Sequence, residues 1–180
     1  MQLLDDTLGS LLAGLGVAII AIFLMLSAYY QSFKVPLIIL AVVPAVFAGS
    51  LIILFLTGST LNLQSYMGII MSIGVSVSNA VLLVNQAEFY RRNLALKPAN
   101  AARLAASSRL RPVLMTATAM LAGMLPMAIG LGDGAEQVAP LGRAVIGGLI
   151  ASTATILLLL PHFFSSLMSK TKKCQSFFGP

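Results

Sequence analysis

"VPLIILAVVPAVFAGSLIILFLTGSTLNLQSYMGIIMSIGVSVSNAVLLVNQA", Val35 to Ala87, contains no charged residue. A bilayer-spanning helix takes ~20 mostly apolar residues. The run is too long for one such helix and suits two. Within it, "TGSTLNLQS", Thr57 to Ser65, is polar, contains a glycine and reads as the turn between them. Three further runs, Thr7 to Phe33, Pro112 to Gly132 and Ala144 to Ser169, also lack Lys, Arg, Asp and Glu. Each fits one spanning helix. The expected fold is therefore all-α, a polytopic transmembrane bundle of five spanning helices at about 8–30, 35–56, 66–89, 112–132 and 142–167. Residues 1–169 form one membrane domain, and 170–180 form a basic tail. Charged residues make up 9% of the chain, against about 25% in soluble domains, which excludes a soluble enzyme. No catalytic constellation for a membrane enzyme is present either, so no enzymatic activity is expected.

The net charge of +6 invites a nucleic-acid reading, but the charges are placed otherwise. Lys34 lies between helices one and two. Arg91, Arg92, Lys97, Arg103, Arg109 and Arg111 lie between three and four, and Lys170, Lys172 and Lys173 follow helix five. Five alternating spans put all of these on one side, with Arg143 the exception. Asp5, Asp6, Asp133 and Glu136 fall on the other side. Short cytoplasmic loops carry the excess of Lys and Arg. The carboxyl terminus is thus expected in the cytoplasm and the amino terminus outside, with anionic lipid rather than nucleic acid as the partner of the basic face.

Cys174 is the single cysteine, so neither an intrachain disulfide nor a cysteine-based metal site is expected, and nothing calls for a cofactor. "MQLLDDTLGS", Met1 to Ser10, is acidic where a secretory signal would be basic. An outside amino terminus with that flank suggests that another segment precedes it. "RRNLALKPANAARLAASSRLR", Arg91 to Arg111, is rich in helix formers after Pro98. It reads as a short helix on the cytoplasmic membrane surface. Pro44 and Pro126 should bend their helices. Gly147, Gly148, Ala151 and Ser152 form two small-xxx-small pairs suited to close helix packing.

One spanning helix carries polar residues. Ser72, Ser76, Asn79 and Gln86 recur at i, i+4, i+7 and i+14, and Ser78 with Asn85 forms an adjacent pair. Lipid cannot satisfy such groups, so they face protein or a water-filled cavity. One explanation is interhelical hydrogen bonding, worth about 0.6 kcal/mol on average and up to ~2. The other is a polar conduit for protons or ions. No carboxylate, Lys or His lies within the core of any of the five spans, so the chain does not hold a self-contained proton relay.

"GIIMSIGVSVSNAVLLVNQAEFYRR", Gly68 to Arg92, resembles the tenth transmembrane helix of resistance-nodulation-division (RND) efflux permeases. The likeness continues through "AARLAASSRLRPVLMTATAMLAGMLPMAIGLGDGAE", Ala101 to Glu136, and "PLGRAVIGGLIASTATILLLLP", Pro140 to Pro161. "AYYQSFKVPLIILAVVP", Ala28 to Pro44, is similar to the junction of the family's eighth and ninth helices. The resemblance implies the carboxyl-terminal membrane portion, the last five helices, of an export permease in the bacterial inner membrane. Such permeases use ion or proton flow to export drugs, metals or lipophilic compounds. The resemblance also implies a homotrimer in the complete protein, working with a periplasmic adaptor and an outer-membrane channel. This chain would need the missing amino-terminal half, or a partner chain that supplies it, and is not expected to be active alone. Ser78 stands where the drug-exporting branch has its relay Lys, just before the matching Asn79, while Thr116 matches a relay Thr. Arg111 matches the Arg at the cytoplasmic start of the eleventh helix. Ser76, Ser78, Asn79 and Thr116 are the candidate relay or polar-interface residues. A Sec-translocon accessory subunit of the same superfamily and a non-transporting membrane scaffold are the alternatives.

Overall fold

The structure, a computed structural model, describes residues 2–31, 33–94, 98–130 and 134–175. Side chains at 2–6, 8, 34, 92, 135, 161 and 163–175 lie outside that description. The described chain is helical throughout: α1 Gln2–Tyr30, α2 Lys34–Leu40, α3 Val42–Leu56, α4 Leu63–Asn93, α5 Pro98–Ile129 and α6 Ala135–Gln175. Five stretches are long and apolar enough to cross a membrane: Gly9–Tyr30, Val35–Leu56, Leu63–Arg91, Pro98–Ile129 and Glu136–Leu160. These are the five spans expected from the charge-free runs. Of the basic tail, the backbone is helical as far as Gln175; its side chains and residues 176–180 are outside the described residues.

The second span is two helices, and Pro44 explains why. Proline has no N–H to offer the Leu40 carbonyl, and its ring crowds that carbonyl. The helix accordingly breaks at Ala41, between α2 and α3. The Ala41 N–H closes α2 by donating to Leu37 O at 3.1 Å. The turn after α3 is built from its own polar residues. Thr57 Oγ1 lies 2.8 Å from Ile53 O, a carbonyl that also accepts the Thr57 N–H at 3.0 Å. Gly58 then takes φ +60°, the left-handed conformation that terminates helices. Asn62 opens α4 by accepting the Ser65 N–H at 3.1 Å. That cap starts the helix at Leu63, a little before the expected 66. The surface segment expected before Pro112 is helical and runs without interruption into the fourth span as part of α5.

α6 is the hub, packing against α3, α4 and α5 as well as α2. Among the described residues α1 packs only on α2 and α4. It does so mainly through its end, where Leu26 and Tyr30 are buried. Lipid tails are as apolar as leucine, so close packing rather than removal from water holds membrane helices together. The small residues of α6 make that packing possible. A Cβ added at Gly147 would sit 2.5 Å from the Gly49 carbonyl oxygen on α3. One at Gly148 would meet Ser72 Cβ of α4 at 2.7 Å and Ser50 Oγ of α3 at 2.8 Å. Gly49 faces Ala151, and Gly68 faces Leu141 and Ala144 in the same way. The small-xxx-small pairs are thus the surface on which α3 and α4 lie.

Arg143, the cation that breaks the charge asymmetry, has a structural task at the end of the bundle away from Arg91, Arg103 and Arg109. Its Nε donates to Ala128 O at 2.9 Å and its Nη1 to Ser59 Oγ at 2.6 Å. Ala128 lies in the last turn of α5, where carbonyls lack helical partners and a cation is favoured by the helix dipole. Arg143 therefore caps α5 from α6 and ties both to the α3–α4 turn.

Candidate functional site

α4 presents two different faces. Ser65, Gly68, Ile69, Ser72, Ile73, Ser76, Ala80 and Leu83 are buried against neighbouring helices. Ser72 Oγ donates to Gly68 O at 2.9 Å, with Val145 O of α6 at 3.5 Å. Ser76 Oγ donates to Ser72 O at 2.6 Å. Across the interface Ser50 Oγ donates to Ala144 O at 2.9 Å. Each hydroxyl finds a backbone carbonyl, so burial leaves no donor unmet. These serines let helices approach closely without an unsatisfied polar atom between them.

The opposite face is open. Met67, Met71, Gly74, Ser78, Leu82 and Phe89 are all exposed and recur every three to four residues or a multiple of it. Asn79 is half-buried on the shoulder between the two faces. On α5, Thr116 is exposed and its Oγ1 lies 3.0 Å from Val113 O and 3.2 Å from Pro112 O. Arg111, one residue before Pro112, is exposed as well. Among the described residues no hydrogen bond joins Ser78, Asn79, Thr116 or Arg111 to one another. The structure therefore separates the candidates: Ser76 is packed inside the bundle, while Ser78, Thr116 and Arg111 look outward.

The sequence profile of the AcrB/AcrD/AcrF family matches residues 3–168, nearly the whole chain. The chain belongs to the AcrB/AcrD/AcrF family of RND permeases. Two crystal structures of a heavy metal efflux pump are similar to it. In one crystal form the TM-score is 0.81 at 32% identity, covering 94% of this chain and 16% of the pump. In the other the TM-score is 0.72 at 34% identity, covering 86% of this chain and 15% of the pump. The chain thus spans about a sixth of the length of the pump structures it matches.

At its basic end this RND chain carries polar ties that sequence periodicity did not separate from the serine stripe. Tyr30 Oη, at the end of α1, donates to Asn85 Oδ1 of α4 at 2.7 Å. Arg109 Nη2 of α5 donates to Gln86 Oε1 at 3.0 Å. Glu88, 7% exposed, accepts from Arg91 Nε at 2.8 Å and Nη2 at 2.6 Å, a bidentate pair within one turn of α4. Asn85 and Gln86 thus serve α1 and α5 rather than continuing the Ser78 and Asn79 faces. The Glu88–Arg91 pair is legible from its i, i+3 spacing. The other two ties cross between helices and have no local signal.

Proposed function

We propose that this chain is the carboxyl-terminal membrane portion of an RND-type export permease, driven by proton or ion flow across the bacterial inner membrane. The family match over residues 3–168 carries this reading, and favours it over a translocon accessory subunit or a scaffold. The basic end faces the cytoplasm, because Lys and Arg concentrate in short cytoplasmic loops; the amino terminus and Arg143 lie on the periplasmic side. The remaining helices and the periplasmic domains come from an amino-terminal half or a partner chain. By family resemblance the complete protein is a trimer that works with a periplasmic adaptor and an outer-membrane channel. The similar pump structures make heavy metal ions the leading cargo class.

The middle of the open face of α4, around Ser78 and away from the cavity end at Phe89, is where transport chemistry belongs in this reading. Ser72 and Ser76 are committed to packing, which leaves Ser78, Asn79 and Thr116 to meet the other half of the transporter. Ser78 carries no charge, so the charge switch that a Lys provides in the drug-exporting branch does not run through α4. Asn79 and Thr116 supply polar, non-titrating groups, and the titrating groups come from the other half.

The test is removal of this chain's coding region from its native locus, followed by measurement of cellular silver, copper, zinc and cadmium ions and of a lipophilic cationic dye. Accumulation of at least one of these is expected to rise, and resupply of the chain to reverse it. Unchanged accumulation across the whole panel would contradict the proposal.

A further inference from the structure

A cavity of about 440 Å³ opens between the ends of α1 and α4, lined by Tyr29, Tyr30, Asn85, Gln86, Glu88 and Phe89. It falls in the size range of small-ligand sites. Its depth in the membrane follows from the spans. The first span ends at Tyr30 and the third at Arg91, so the cavity lies where hydrocarbon gives way to lipid headgroups. None of the candidate relay residues lines it.

Three features of its wall define a ligand. Tyr29 and Phe89 are 71% and 55% exposed, aromatic rings of the kind that sit at the headgroup level and attract cations to their faces. Glu88 and Arg91 form a fixed ion pair, the carboxylate on the cavity wall and the partly exposed guanidinium beside it. Gln86 contributes a donor by elimination. Arginine has no acceptor, so Gln86 turns its oxygen to Arg109 and its NH2 the other way. Among the described residues that NH2 has no acceptor. The site therefore joins aromatic faces, an anion, a cation and an amide donor at the membrane surface.

We propose that this cavity binds the headgroup of an aminophospholipid, with the primary ammonium toward Glu88 and the aromatic rings and the phosphodiester toward Arg91 and the Gln86 NH2. The ligand's opposite charges align antiparallel to the ion pair, so neither end of the zwitterion meets a like charge. A simple anion would meet Glu88, and a simple cation would meet Arg91. A trimethylated ammonium keeps its charge but has no N–H to give a carboxylate. The lipid is drawn from the bilayer around the chain, and its acyl chains leave past Tyr29 and Phe89.

The experiment purifies the chain from its native membrane with any chain that copurifies and reconstitutes it in nanodiscs of equal parts phosphatidylethanolamine, phosphatidylcholine and phosphatidylglycerol. Lipid retained after release into detergent is counted by native mass spectrometry. One phosphatidylethanolamine is expected per chain, retained about fivefold over each of the others, the discrimination that charge and hydrogen-bond contacts of this kind support. Tyr29→Ala and Phe89→Ala remove exposed rings, and the double variant should retain several-fold less phosphatidylethanolamine while its unfolding midpoint in detergent stays the same. Equal retention of the three lipids would overturn the proposal, as would phosphatidylethanolamine retention that the double variant leaves unchanged. Displacement of the lipid by excess inorganic phosphate would also overturn it, by showing a site for free anions.

Discussion

Valine in place of Gly147 is expected to unfold the bundle at far lower denaturant than the native chain, whereas alanine in place of Gly74 leaves it intact. The two glycines lie on neighbouring helices and differ in what surrounds them. A Cβ at Gly147 meets the Gly49 carbonyl oxygen at 2.5 Å and Ile53 Cγ1 at 2.8 Å. The first of these is backbone, so α3 itself must shift. Overpacking typically costs about 1–3 kcal/mol, and a displaced helix puts this variant at about 3 kcal/mol or more. Gly74, on the open face of α4, has nothing within 4 Å of where a Cβ would stand. Alanine there relieves the conformational cost of a mid-helix glycine, a gain of roughly 0.5–1 kcal/mol. The check is equilibrium unfolding in mixed detergent micelles, followed by helical circular dichroism. Equal effects of the two substitutions would show that α6 is not the packing hub.

Leucine in place of Asn79 is expected to reduce export to the level seen without the chain, while the protein still inserts and accumulates in the membrane. Asn79 is half-buried on the shoulder of α4, beside the exposed Ser78. Its amide is the only group among the candidates that both donates and accepts through separate atoms. Leucine keeps side-chain bulk and helix propensity, so the helix itself is spared. If Asn79 only holds helices together, the outcome differs: stability falls by about 0.6 kcal/mol and export continues. Export of the ion or dye that responds to removal of the chain, measured beside the membrane level of the protein, separates the two.

Much of the fold is legible in the sequence because the bilayer imposes simple rules. Charge-free runs mark the spans, Gly58 and Asn62 mark the turn, and Pro44 marks the break at Ala41. Gly147, Gly148 and Ala151 announce a close-packed face before any partner is known. What periodicity does not reveal is which neighbour each stripe meets. Ser72, Ser76, Asn79 and Gln86 share a face on paper, yet Ser72 and Ser76 are buried, Ser72 against α6, while Gln86 reaches Arg109. Spacing along α4 is a local property, and the division is made by the helices packed around it. Arg143 is a similar case: the sequence marks it as the cation on the wrong side, and only the structure shows it capping α5 at Ala128.

In the proposed permease, α4 keeps Ser76 for packing and Ser78 faces the transport path, an arrangement checked by accessibility. It is tested most directly by the reaction of a membrane-impermeant thiol reagent with Ser78→Cys and Ser76→Cys, each in a Cys174→Ser background in native membranes. Labelling is expected at position 78 and none at 76. Equal labelling at both positions, or none at 78, would contradict it.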